Sequence, residues 1–376
     1  MARTVNPEMQ KLAMSGLINA GIKDIASKGL DQISVQSVTI GAKTSRPTFY
    51  SYFGDINGLL AEIWLAKSDA WLEMIVDFEK PILKLDKEGD VLNKAMTQIL
   101  AASHRIPELN EIVQPRLLKW WKSLSGLPVM AQLKNLWLVG ERLGVTLTAY
   151  SNKDAHKAAF IESVIRSIDD NHMEKLEAPA LPPLSEPELD SPSLESKLLN
   201  SAIEIIASSG VAAASMARVA RKAQVSTGAV YPRFSKVDHL IENSFDVAVR
   251  GVISQNFSLL NAKSFESDDF GTFVKAGLLP SRRVWRNFRI EIHLGALGRP
   301  KLAKKLSESL VSTNAMVAQK LVAFDLPELV KEPIPFLVHS VGIGLAILQN
   351  AGIPVGALDH RLISREMVRI SVNSSK

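Results

Sequence analysis

Residues 17–60 read LINAGIKDIASKGLDQISVQSVTIGAKTSRPTFYSYFGDINGLL, and residues 198–241 read LLNSAIEIIASSGVAAASMARVARKAQVSTGAVYPRFSKVDHLI. Extended four residues toward the N-terminus, the two stretches align without a gap at a constant offset of 181, with 15 of 48 positions identical. An offset that long is not a solenoid period, so the chain reads as two related halves. Each copy opens with apolar residues at helical spacing: Leu17, Ile18, Ile22, Ile25 and Ala26, then Leu198, Leu199, Ile203, Ile206 and Ala207. Gly29 and Gly210 stand where a helix C-terminal glycine belongs. Ser34 and Ser215 are N-caps for a second, short helix whose inward positions are Val35, Val38 and Ala42, or Met216, Val219 and Ala223. A tight turn then ends at Ser45 or Ser226, again suited to capping. A third short helix follows, with Pro47 in its first turn and Phe49 and Phe53, or Val230 and Phe234, facing inward. Three short helices with a tight turn between the last two describe a helix-turn-helix.

Outward from the repeats the pattern stays helical. Leu59, Leu60, Ile63, Trp64, Ala70, Trp71, Met74 and Phe78 predict a long connecting helix ending near Pro81. The spacing predicts further helices over 91–103, 115–123, 129–150 and 154–176. In the second half it predicts them over 238–262, 269–278, 282–297, 300–324, 334–350 and 359–371. No run has the period of two that a strand requires, so the expected fold class is all-α. The Pro-rich stretch APALPPLSEPELDSPS (178–193) reads as an extended, semi-rigid linker. The expected organisation is 1–56 as a first helix-turn-helix domain, 57–177 as a helical domain, 178–193 as linker, 194–237 as a second helix-turn-helix domain, and 238–376 as a second helical domain.

Composition narrows the chemistry. The 376 residues are 46% hydrophobic and 22% charged, a globular balance. The absence of cysteine excludes disulfides, thiolate metal sites and a cysteine nucleophile. The seven histidines show no metal-ligand spacing, and GAKTS at Gly41 lacks the frame of a phosphate loop, so no cofactor, metal or catalytic role is expected. No apolar stretch is long enough to span a bilayer and the N-terminus has no signal-peptide core, which places the protein in the cytoplasm. Net charge is +5, unevenly spread: residues 194–376 hold 23 basic and 15 acidic groups, whereas residues 1–177 hold 21 of each. Both repeats are locally basic, as a polyanion partner requires.

The segments TSRPTFYSYFGDINGLL and VSTGAVYPRFSKVDHLI, with SMARVARKAQVS before the second, resemble the DNA-binding domain of TetR-family transcriptional regulators. HRIPELNEIV, GRPKLAKKLS and VGIGLAILQNAGIP resemble, less closely, the family's ligand-binding and dimerisation domain, and VGERLGVTLTAY is the divergent counterpart of the last. The family's usual lysine after the Phe is Ile56 or Val237 here, with Lys236 one place earlier, and Thr44 replaces the usual turn valine. The resemblance implies a DNA-binding regulator, a repressor more than an activator. Its two heads, in one chain or in a homodimer, would grip a double-stranded operator, and a small-molecule effector would shift their spacing.

By the general geometry of such a motif, Arg46, Pro47 and Thr48 read bases in the first copy, while Tyr50 and Tyr52 touch backbone. In the second, Thr227, Gly228 and Ala229 face bases, and Arg218, Tyr231, Arg233 and Lys236 form the phosphate ring. Ser34, Ser45, Ser215 and Ser226 are caps that also lie near phosphate. Singly, each has a plainer explanation: the tyrosines as half-buried helix residues, and Arg218, Arg221 and Lys222 as a solvated face. Trp64, Trp71, Trp120, Trp121 and Trp137, and in the second half Trp285, Phe288 and His293, are candidates to line a ligand pocket. Aromatic residues at helical spacing are more often core. The rival to a regulator is a helical small-molecule sensor whose DNA heads are vestigial; an enzyme is the remotest alternative.

Overall fold

The computed structural model describes residues 7–151, 155–171, 193–258, 269–321 and 333–373. Among these residues every regular element is an α or 3-10 helix. The first half runs α1 (Pro7–Lys28), α2 (Val35–Gly41), α3 (Arg46–Phe53), α4 (Ile56–Val76), α5 (Lys87–Ala102), α6 (Pro107–Ser123), α7 (Val129–Leu147) and α8 (Ala155–Arg166). The second runs α9 (Leu194–Ser209), α10 (Met216–Lys222), α11 (Val237–Ser258), α12 (Asp269–Leu278), α13 (Arg283–Leu297), α14 (Pro300–Leu321), α15 (Ile334–Asn350) and α16 (Arg361–Asn373). The linker expected over 178–193 lies outside the described residues except for Ser193, whose hydroxyl accepts the Ser196 amide and caps α9. The expected extensions of helices past residues 171, 258 and 321 lie outside them as well.

Helix boundaries follow the capping chemistry. Asp55 and Asp86 accept the amides of Gly58 and Gly89 and start α4 and α5. The start expected at Pro115 is corrected: α6 begins at Pro107, a first-turn proline, and Pro115 lies inside it. Pro115 is exposed, so the carbonyl it leaves unbonded one turn earlier can turn to water.

The two halves share one apolar core. Leu17, Ile63, Trp71, Leu100 and Trp137 belong to the same buried cluster as Ile290, Val341, Leu345 and Ile363. The join is the crossing of α7 and α15. Gly140 faces Leu345 and Gly344, and Gly144 faces the Ser340 carbonyl, so the helices run antiparallel with their backbones touching. A Cβ on Gly140 would lie 3.0 Å from Leu345 Cδ2. Side-chain bonds also cross the join. Trp137 Nε1 donates to His360 Nδ1 at 2.9 Å, and His360 Nε2 in turn faces the Val355 carbonyl at 2.9 Å. Burial depresses the His360 pKa to about 4, so the ring stays neutral and able to accept from Trp137.

Candidate nucleic-acid interface

Both repeats build the same frame. Gly29 and Gly210 take φ of 85° and 83°, a region open to glycine, and their amides close α1 and α9 on the Ile25 and Ile206 carbonyls. Ser34 and Ser215 accept the amides of Ser37 and Arg218 and start α2 and α10. The turn after each is set by a non-glycine residue at positive φ, Lys43 at 52° and Gln224 at 58°. The following amides, Thr44 and Val225, both bond back at 2.9 Å to Thr39 and Ala220. These pairs are each separated by 181 positions, so the duplication extends to backbone torsions. Val38, Phe49 and Phe53 fill the first head, and Val219, Val230 and Phe234 the second.

The third element differs between the copies. In the first, Ser45 caps α3 by accepting the Thr48 amide. In the second, the expected α-helix is corrected to a 3-10 turn over Thr227–Ala229, and Ser226 makes no side-chain cap. The cause is the placement of proline. Pro47 sits in the first turn of α3, whereas Pro232 falls inside the corresponding segment and has no N–H for the Gly228 carbonyl, and glycine at 228 weakens the helix further. Arg233 and Phe234 amides still reach the Val230 carbonyl, at 3.0 and 2.9 Å, so Phe234 remains in the core.

Each head leaves an outward face. Tyr50 and Tyr231 are 52% and 55% exposed at equivalent positions, each beside a buried core residue. Ser45, Arg46, Pro47, Ser226, Thr227, Gly228, Arg233 and Lys236 are exposed, as are Ser34, Ser215 and Arg218; Thr48 and Ala229 are half-buried. Gln36 Oε1 accepts from Arg46 Nη2 at 2.9 Å, and Ser209 Oγ accepts from Arg218 Nη2 at 3.0 Å, so both guanidinium groups are oriented. Tyr52 donates to the Gln10 carbonyl at 3.2 Å and braces α3 on α1. Lys222 is paired with Glu204 at 2.6 Å, while Lys43 is exposed in the turn.

Behind the heads, one guanidinium ties them together. Arg105, at the junction of α5 and α6, reaches Asp31 of the first head at 2.6 Å and Glu291 of α13 at 3.0 Å. It also donates to the Ser209 carbonyl at the end of α9, in the second head, at 3.3 Å. Next to it, His104 Nε2 lies 3.3 Å from the Ala207 carbonyl and 3.4 Å from Glu291. Burial drives the Glu291 carboxyl up to about 8 against the pull of Arg105. Burial also works against the Arg105 charge, yet Glu291 and Asp31 together leave it above its ordinary value. On the other side, Gly29 abuts Gly298 of the second half so closely that a Cβ would lie 2.8 Å from the Gly298 nitrogen. Sequence reading placed Arg105 only within the resembling segment HRIPELNEIV. Nothing in that pattern reveals partners 74 and 186 positions away.

Of the aromatic residues considered for a ligand pocket, Trp64, Trp71 and Trp137 are completely buried. Trp71 donates to Asn93 Oδ1 at 3.1 Å. Trp120 and Trp121 pack half-buried against the same core. In the second half Phe288 is core, and Trp285 lines a cleft. His293 is buried with Nδ1 2.6 Å from the Tyr150 hydroxyl of the first half. Among the described residues no helix is long and apolar enough to cross a membrane, and no cluster of three or more His, Asp or Glu is placed to hold a metal.

The second head has known relatives. Residues 198–243 match the tetR family of bacterial regulatory proteins. The matched span takes in α9 from Leu198 onward, α10, the 3-10 turn and the start of α11, so this head is similar to a TetR DNA-binding domain. No curated protein matches the chain. Among solved structures the chain is similar to a transcriptional regulator from Rhodococcus sp. Rha1, at 22% identity over 48% of this chain and 94% of that one, with a TM-score of 0.37.

Proposed function

We propose that this chain is a cytoplasmic DNA-binding transcriptional regulator of the TetR type, acting as a repressor, with two fused modules that pair as an intramolecular pseudo-dimer. The observation that carries this reading is the pair of outward tyrosines, Tyr50 and Tyr231, presented by frames with matching turn torsions and flanked by Arg46 on one head and Arg218, Arg233 and Lys236 on the other. In such a motif base edges are read from the start of the third element, and the tyrosine and basic groups hold phosphate. Because α3 begins Arg-Pro-Thr and its counterpart Thr-Gly-Ala, the two half-sites differ and the operator is an imperfect palindrome. Fusion of the α7 and α15 surfaces in one chain supports binding as a monomer, and a small-molecule effector changes the head spacing. The deciding experiment is binding-site selection from random duplex DNA, paired with mass photometry of the complex. Two unlike half-sites at a fixed spacing under one chain are expected; no enriched sequence, or two chains per site, overturns the reading.

Two measurements separate the regulator from a sensor with vestigial heads. Six to eight phosphate contacts give a slope of about −5 to −7 in log affinity against log salt, at roughly 0.9 per contact. A flat salt response fits the sensor. Tyr50→Phe removes only a hydroxyl from an exposed ring whose base packs edge-on against Phe49. It is expected to leave the thermal midpoint unchanged and weaken operator binding by about 1 kcal/mol, roughly fivefold. Unaltered affinity in a gel-shift titration removes Tyr50 from the interface.

A further inference from the structure

The duplication gives the heads one frame but not one chemistry. At the constant offset of 181, the exposed cations of the second head, Arg218, Arg221, Arg233 and Lys236, align with Ser37, Ile40, Tyr52 and Asp55 of the first. None of these counterparts carries positive charge. Ile40 is an apolar residue 69% exposed, and Asp55 is an acid whose Oδ1 accepts the Gly58 amide. At the reading end the difference is reversed. Gln36 and Arg46 of the first head align with Ala217 and Thr227, so both members of the first head's hydrogen-bonded pair are absent from the second.

Gln36 lies in the first turn of α2 and Arg46 is the first residue of α3, so their 2.9 Å bond crosses the turn between the two helices. Both side chains are exposed. The bond therefore acts mainly on the position of a long side chain, removing rotamer freedom that would otherwise be lost on meeting a ligand. It uses one hydrogen of Arg46 Nη2 and leaves Nη1 and the other Nη2 hydrogen for the bidentate match to O6 and N7 of guanine in a major groove. The Ser45 cap and Pro47 fix the first turn of α3 that carries this group. The second head has no equivalent: its third element is an uncapped 3-10 turn of Thr227, Gly228 and Ala229, and its long cations lie on α10 and beyond the turn. We infer that the heads divide the work, the first selecting sequence through Arg46 on a guanine, with Gln36 as its positioning residue, and the second gripping phosphates with little choice of base. The inference rests on reading the chain as an operator-binding regulator, and names the half-site that carries the sequence.

The test is binding-site selection from random duplex DNA by the full chain and its variants, followed by titrations of the selected duplex and its single-base changes over a range of salt. The parent is expected to specify one half-site strongly, with a guanine in it, and the other weakly. Arg46→Ala should abolish preference for that guanine, a loss of about tenfold or more in discrimination. Gln36→Leu should reduce the preference about threefold with the thermal midpoint unchanged. In an Arg46→Ala background it should change nothing further, as for a residue that acts through another. Arg233→Gln and Lys236→Gln should each lower the salt slope by about 0.9 and leave the selected bases as they were. Equally specified half-sites, a guanine preference that survives Arg46→Ala, a Gln36→Leu effect that is absent or persists without Arg46, or bases that change with Arg233→Gln or Lys236→Gln would each overturn the division and leave the regulator standing. Selection of no sequence at all sinks the regulator reading, and the division with it.

Discussion

An Arg105→Leu variant is expected to lose about 3–5 kcal/mol of unfolding free energy, read from urea denaturation at neutral pH, because it strips the cation from buried Asp31 and a donor from the Glu291 carboxyl, which carries its proton at that pH. The side chains of Asp31, Arg105 and Glu291 are 5%, 9% and 0% exposed, so water cannot take the place of the guanidinium. The same change frees the Ser209 carbonyl and unties the first head from the second. Operator affinity should fall by more than instability alone accounts for, measured where the variant is still folded. A loss below about 1 kcal/mol would mean the junction is open in solution. The pH profile has a definite sign. The carboxyl of Glu291 titrates near 8 in the fold against an ordinary 4.5, so the native state binds the extra proton between those values. Stability contributed by the protonated carboxyl is complete below about pH 4.5 and is lost as pH rises through 8. Glu291→Gln should flatten that decline, and Arg105→Leu should push it to higher pH by removing the group that pulls Glu291 down.

The second large effect is expected at the helix crossing. A side chain at Gly344 collides with the Gly140 carbonyl, and one at Gly144 with the Ser340 carbonyl. Both obstacles are backbone, so no rotamer change relieves them and α7 and α15 must separate. Gly344→Leu should cost about 3 kcal/mol or more. The damage should reach past the site itself, since the buried cluster running from Leu17 to Met367 is interrupted at its middle. Differential scanning calorimetry is expected to resolve two transitions where the parent gives one. Gly16→Leu is the control: a Cβ there meets nothing within 4 Å. A Gly344→Leu protein as stable as the control would show that the crossing is loose.

Much of the fold could be read from residue order. The apolar spacing from Leu17 to Ile25, the capping serines and the two glycines specified the heads, because these signals act within a few residues of one another. The third element of the second head departs from the expected α-helix because of its proline, which in the first copy stands at 47. In the second copy it stands at 232, and four positions inside a short segment separate a tolerated proline from one that ends the helix. α6 also departs from expectation at a proline, starting at Pro107 and carrying Pro115 on an exposed face. The site behind the heads was illegible: Asp31, Arg105 and Glu291 are far apart in the chain, and only packing of both halves brings their charges together. Arg282, Arg286, Arg289 and His293 recur every three or four residues along RRVWRNFRIEIH, the first in the turn before α13 and the others on it, a basic stripe on a helix that packs as core.

The antiparallel meeting of Gly140 and Gly344 also bears on how such a molecule answers changes in its own abundance. Where two separate subunits must first find each other, the population able to grip both half-sites grows as the square of supply when supply is scarce. On the proposed pseudo-dimer reading the two halves, joined by peptide bonds and by a common interior, need no such encounter. Promoter occupancy would then scale with the first power of copy number, and a cell making only a few chains would keep its control graded.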